Sequence, residues 1–187
     1  MAVIVVVLAA CGSPQRPAKP SQITIAAVER ADAAEKTRDH EAARALYLDA
    51  IATAPDPASE RFARRELADT LLHWGEYDAG ARQLEAIVAL APDDVAAWND
   101  LGLVRHNLGD HRGAVEALVR ARDLEPEDHR PRIALAVLYW KLGETSLALG
   151  EYLELRKLDL PDRLARAVEW AIRELQKPTP APHPPQP

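Results

Sequence analysis

One cysteine, Cys11, stands in the whole chain, so no disulfide can form within it and the thiol is left either free or modified. Glycine is scarce, at eight of 187 residues, and helix formers dominate, which suits an all-helical protein. No Lys or Arg precedes Arg16. The apolar run from Met1 to Ala10 falls well short of the roughly 20 residues that a bilayer-spanning helix needs. No HExxH sequence and no glycine-rich phosphate loop occurs, and the serines at 13, 21, 59 and 146 have no nucleophile-elbow context. His106 and His111 straddle a turn instead of sharing one helix face, so the histidines do not have metal-ligand spacing. A net charge of −6 argues against nucleic acid as the main partner, because phosphate binding needs a basic surface. These absences predict a non-catalytic protein with neither a metal nor another cofactor.

What is present begins with MAVIVVVLAA, which has the length of a signal-peptide apolar core and small residues suited to cleavage at Ala9 and Ala10. Leu8-Ala9-Ala10-Cys11 resembles the lipobox of bacterial lipoproteins. That resemblance implies cleavage before Cys11, lipidation of its thiol, and residence in the cell envelope. Gly12 after the cysteine points to the outer membrane, facing the periplasm. More than one acyl chain is needed for stable anchoring, and a lipidated Cys11 meets that need. The alternative is an incidental cysteine in an apolar N-terminus, which would leave a soluble cytoplasmic interaction protein. Residues 1–10 are thus read as a signal peptide, and 11–23, alternating Pro with polar residues, as an extended tether.

From residue 24 to 161 the chain repeats. The acids Asp39, Glu76, Asp110 and Glu144 are spaced by 37, 34 and 34 residues, and counting outward gives units 24–57, 61–94, 95–128 and 129–162. The third is the clearest, with apolar residues at helical spacing on both sides of Leu108-Gly109-Asp110 and Pro126 to end the second helix. A mid-helix glycine costs about 1 kcal/mol relative to alanine. Gly102 therefore predicts that a partner-helix side chain fills the space its missing Cβ leaves. Small residues pair across each hairpin, Ala68 with Gly80, Gly102 with Ala114 and Ala136 with Ala148. The first unit is weaker, with Arg30 at a normally buried position, Arg38 at the turn glycine, and Pro57-Ala58-Ser59 inserted after it. Residues 162–177, with Asp162 as N-cap, carry an apolar stripe of Leu164, Val168, Ala171, Ile172 and Leu175, as a capping helix should. The Pro-rich tail 178–187 is expected to be disordered or extended.

Trp98, Leu101, Gly102, Ala114, Leu118, Ala121 and Pro126 fall where the 34-residue tetratricopeptide repeat places its signature residues, with Arg105 replacing Tyr. The chain resembles that family across all four units. The resemblance implies an all-α fold, an α-α superhelix of about four helix pairs plus the capping helix. It also implies that positions two, five, nine, twelve and thirteen of each first helix face a binding groove. Carried over, these are Phe62, Arg65, Asp69, Leu72 and His73 in the second unit. The third supplies Ala96, Asn99, Leu103, His106 and Asn107, and the fourth Arg130, Ile133, Val137, Trp140 and Lys141. Trp74 and Trp98 are expected in the core, and Arg105 to be partly buried and to pair with a nearby acid such as Asp100 or Asp69. Carboxylate-clamp members of the family hold a peptide C-terminus with basic groups and Asn. Arg65 and Arg130 fall on two basic positions, but Asp69, Asp100 and Ala134 occupy the others, and two of these repel a carboxylate.

The expected function is a membrane-tethered adaptor that holds a peptide or helix of an envelope protein. Pilus or secretin assembly, outer-membrane biogenesis and recruitment of peptidoglycan enzymes all fit that layout. Self-association into a homo-oligomer is the structural alternative.

Overall fold

The computed structural model describes residues 19–177. Cys11, the signal-peptide reading, the tether up to residue 18 and the tail 178–187 lie outside the described residues. Among the described residues there are nine α-helices and no strand. They are α1 (Gln22–Lys36), α2 (His40–Ala52), α3 (Pro57–His73), α4 (Tyr77–Leu90) and α5 (Val95–Asn107), followed by α6 (His111–Leu124), α7 (His129–Lys141), α8 (Thr145–Leu155) and α9 (Asp162–Leu175). The chain divides into two compact units, 1–63 and 64–187, with the division inside α3.

In the first unit, α1 and α2 pair around Val28, Ala31, Ala43, Tyr47 and Ala50, all buried, while Arg30 points to solvent. Tyr47 donates its phenol hydrogen to Asp32. The inserted Pro57-Ala58-Ser59 forms the first turn of α3. Proline suits that position because its missing amide would have no helical partner. Asp56 secures the same turn, accepting from the Ser59 amide and hydroxyl at 2.8 Å each.

In the second unit, α4 to α8 alternate as hairpin partners and α9 closes the far side. Gly102 behaves as its position demands. A Cβ built there would lie 2.5 Å from Leu118 Cγ of α6, so the buried Leu118 side chain occupies that space. Gly80 does the same for Leu72, whose Cδ2 would sit 2.6 Å from an added Cβ. Arg105 pairs with Glu85 of α4 at 3.0 Å and not with Asp100 or Asp69. Five residues separate Asp100 from Arg105, which places them well apart around the helix, and Asp100 is already bound to Arg65 at 2.8 Å. Asp162 is the first residue of α9 and not its cap; Pro161 holds the cap position. Glu151 of α8, nearly buried, binds Arg122 of α6 at 2.6 Å and Arg132 of α7 at 3.0 Å, so one carboxylate joins three helices.

The four hairpin turns share one hydrogen-bond pattern. Asp39, Glu76, Asp110 and Glu144 each donate an amide to the carbonyl five residues back, namely Ala34, Leu71, Arg105 and Tyr139, at 2.8 to 3.1 Å. The residue before each acid is left-handed: Gly75, Gly109 and Gly143 with φ of 78° to 83°, and Arg38 with φ 62°. This is a Schellman closure of the first helix. The same acids hold the N-cap positions of the second helices, where Asp39 and Asp110 accept from amides three residues on at 3.1 and 2.9 Å.

Arg38 is exposed and loses no packing if truncated. A left-handed side chain costs about 1–2 kcal/mol, of which glycine's greater freedom in the unfolded chain offsets roughly 0.5–1 kcal/mol. Arg38→Gly should therefore stabilise the protein by about 0.5–1 kcal/mol, read as a raised midpoint in urea unfolding. A lowered midpoint would mean that the arginine side chain stabilises the turn.

Candidate protein-binding groove between α5 and α7

α5 and α7 are the first helices of adjacent hairpins and run side by side. Between them lies a groove of about 500 Å³. Leu118 and Leu138, both buried, form its floor, with Ala134 and Ile133 half-buried beside them. Leu103 on one wall and Val137 on the other are 44% and 38% exposed, unusually open for aliphatic side chains facing each other. Asn99, His106, His129, Arg130 and Lys141 supply the polar rim. Helical geometry explains the grouping: Asn99, Leu103 and His106 follow one stripe of α5, and Arg130, Ile133, Val137 and Lys141 one stripe of α7.

The rim is electrostatically uneven. Arg130 folds back on Asp128, the N-cap of α7, at 2.7 to 3.0 Å. That contact holds the Asp128 carboxyl below its ordinary range. Lys141 lies 3.5 Å from Nε2 of His106, whose Nδ1 is 3.2 Å from Nδ1 of His111. A neutral His106 serves both contacts: Nε2 accepts from the Lys141 ammonium and the Nδ1 hydrogen goes to His111. Burial, then Lys141, then His111 push the His106 pKa below the ordinary histidine value. The groove therefore has an apolar middle and one cationic end, at Lys141.

Seven of the residues placed in a groove by the family resemblance come together here: Asn99, Leu103, His106, Arg130, Ile133, Val137 and Lys141. Leu118, His129, Ala134 and Leu138 line it as well and were not anticipated. The signal for Leu118 was Gly102, since a side chain filling the glycine gap from α6 reaches the groove floor. Asn107 and His73 are exposed at the ends of α5 and α3, outside the lining. Phe62 belongs to the first unit and is half-buried.

Arg65 and Asp69 of α3 serve a different cluster. Arg65 bonds Asp100 at 2.8 Å and reaches Asp94 at 3.5 Å, tying α3 to α5. Burial raises the Asp69 pKa, with Arg65 opposing and Asp100 adding to the rise. Arg65 and Arg130, the two residues on carboxylate-clamp positions, both spend their charge on acids of this chain.

The twelfth-position residues lean toward the second helix of their own hairpin. Leu72 packs under Gly80, His106 meets His111, and Trp140 meets Tyr152 edge-on with ring centroids 6.2 Å apart. Trp140 is half-buried in the C-terminal cluster, with Trp170 of α9 across it at 5.7 Å, and does not line the groove. This position sits at the edge of the helix stripe, roughly 60° from the ninth, and α8 and α9 cover that edge. Trp98 lies half-buried against the core of α4 and α5, its indole donating to Pro92 O at 3.0 Å. Among the described residues no cluster of three potential metal ligands occurs, and no helix is long and apolar enough to cross a membrane.

Hairpins of antiparallel helices with a groove between successive first helices define a helical-repeat protein. The tetratricopeptide repeat model matches residues 65–118 and 105–160, just over half of the chain, and the chain belongs to the tetratricopeptide repeat family. Among solved structures, it is similar to a tetratricopeptide repeat protein from Parabacteroides merdae (TM-score 0.71, 12% identity, 83% of this chain and 60% of that one). MamA from Desulfovibrio magneticus is similar over 73% of this chain and 75% of its own, with TM-score 0.62 and 22% identity. A further MamA crystal structure gives TM-score 0.65 at 19% identity, covering 81% and 85%. At these identities the likeness concerns the fold. Among curated proteins none matches the sequence significantly.

Trp140→Ala should act on stability before it acts on recognition, because it removes the contact that Tyr152 and Trp170 share. A loss of about 2 kcal/mol or more is expected, seen as a lowered thermal midpoint by circular dichroism. An unchanged midpoint would mean that α9 is held by its aliphatic stripe alone.

Proposed function

We propose that the chain is a non-catalytic, membrane-tethered adaptor that holds a segment of a protein partner in the groove between α5 and α7. The observation that carries this reading is the groove itself: an aliphatic trough of about 500 Å³, open to solvent and rimmed by hydrogen-bonding side chains. Exposed Leu103 and Val137 gain from being covered, and a helix or extended segment that lays apolar side chains between them removes that surface from water. Lys141 at one end favours a partner with an acidic residue beside its apolar anchors. Membership of the tetratricopeptide repeat family supports protein binding as the activity. The lipobox-like Leu8-Ala9-Ala10-Cys11 supports a lipid anchor and a place in the bacterial envelope, where assembly of surface or outer-membrane machinery is the role we assign.

Two experiments test the two halves. Metabolic labelling with palmitate should mark the wild type and not Cys11→Ser; absence of label on the wild type removes the anchor. Affinity capture from detergent-solubilised membranes should enrich a partner that Leu103→Asp and Val137→Asp lose by at least about tenfold, since each would bury an unpaired carboxylate at the contact. Both side chains are exposed, so the fold survives these changes. Equal capture by wild type and variants sinks the groove, and enrichment of a second copy of this chain replaces the adaptor with self-association.

A further inference from the structure

α9 closes the repeat array with its apolar face: Val168, Ala171 and Ile172 are buried, and Leu164 and Leu175 pack beside them. Its opposite face is the unusual one. Arg163, Arg166, Trp170, Arg173 and Lys177 follow one another at intervals of three and four residues, and all five are exposed. At 100° per residue Arg163, Arg166, Trp170 and Arg173 fall within an arc of roughly 80° and run about 15 Å along α9, and Lys177 lies just past its end. Trp170 is 53% exposed, with one side of its ring against Trp140 and the rest open to solvent. Of the four cations only Lys177 has an acidic partner among the described residues, Glu174 at 2.7 Å. The other acids of the helix, Asp162 and Glu169, flank the stripe and do not interrupt it.

A terminal helix needs only to be polar on its outside to keep the array soluble. This one, formally neutral with three arginines and three acids, instead aligns the three guanidinium groups and an indole on one face. The combination has a specific chemistry. An indole with an apolar body and one polar hydrogen settles at the boundary between headgroups and acyl chains. Guanidinium groups beside it pair with phosphates, two hydrogen bonds at a time. One helix stripe lays these groups along a line, and mobile anionic headgroups move to the arginine spacing.

We infer that the outer face of α9 is a docking surface for an anionic lipid bilayer, contacted through Arg163, Arg166, Trp170 and Arg173. The inference is independent of the groove, which lies on α5 and α7. Three arginines and one indole give weak, reversible binding; on a chain that is also lipid-anchored, the contact fixes how the folded part lies on the membrane.

The full chain carrying Cys11→Ser, and so unable to take a lipid, should co-sediment with vesicles containing phosphatidylglycerol much more strongly than with phosphatidylcholine vesicles. Any contribution of the apolar residues 1–10 is common to both. The combined change Arg163→Gln, Arg166→Gln and Arg173→Gln leaves the buried face intact. It should lower partition onto the anionic vesicles on the order of a hundredfold, at about fivefold per cation, with an unchanged thermal midpoint. Raising the salt concentration should weaken wild-type binding in the same direction. Equal partition onto the two vesicle types, no partition onto either, or full retention by the triple variant would each overturn the inference.

Discussion

Every helical hairpin among the described residues depends on one left-handed residue followed by an acid. The left-handed residue turns the chain out of the first helix without breaking its hydrogen bonding, because the next amide reaches back to the carbonyl five residues earlier. That next residue is also the cap position of the second helix, so one joint both ends one helix and starts the other. The angular setting of the two helices follows from it, and with it the facing of Gly102 and Leu118. The first hairpin makes the same joint with Arg38, at a conformational cost that glycine avoids elsewhere.

Charge is used sparingly around the groove. Arg65 binds Asp100, Arg130 binds its own helix cap, and Glu151 draws Arg122 and Arg132 into a half-buried triad. Removing one partner of such a triad strands a charge away from water, so these residues hold helices together and are not available for a ligand. The groove is left with an aliphatic middle and the small cationic end at Lys141. In the adaptor role proposed above, shape and apolar contact would set selectivity, with one charge to set direction.

Much of the fold was legible in the sequence because the signals are local. The turn acids, the glycines before them and the helical spacing of apolar residues mark each hairpin, and all of these act within a few residues of chain. The exceptions are equally local in cause. The inserted Pro57-Ala58-Ser59 breaks the 34-residue count, and proline at a first helical position with Asp56 beside Ser59 makes it a helix start. Arg105 was matched with the wrong acid because ion pairs are chosen by rotamer and helix crossing, which no spacing rule specifies.

The candidate groove divides along the same line. The sequence by itself determined which stripe of α5 and α7 turns away from the second helices, since 3.6-residue periodicity fixes the facing of Asn99, Leu103, Ile133 and Val137 within one element. It also determined that something must fill the gap above Gly102. Only the tertiary structure decided that Leu118 is that group, that α8 and α9 cover Trp140, and that Arg65 and Arg130 are already paired. The reason is physical: periodicity sets the direction of a side chain about its own helix axis, whereas burial and pairing depend on what another helix, distant in the chain, brings to the same place.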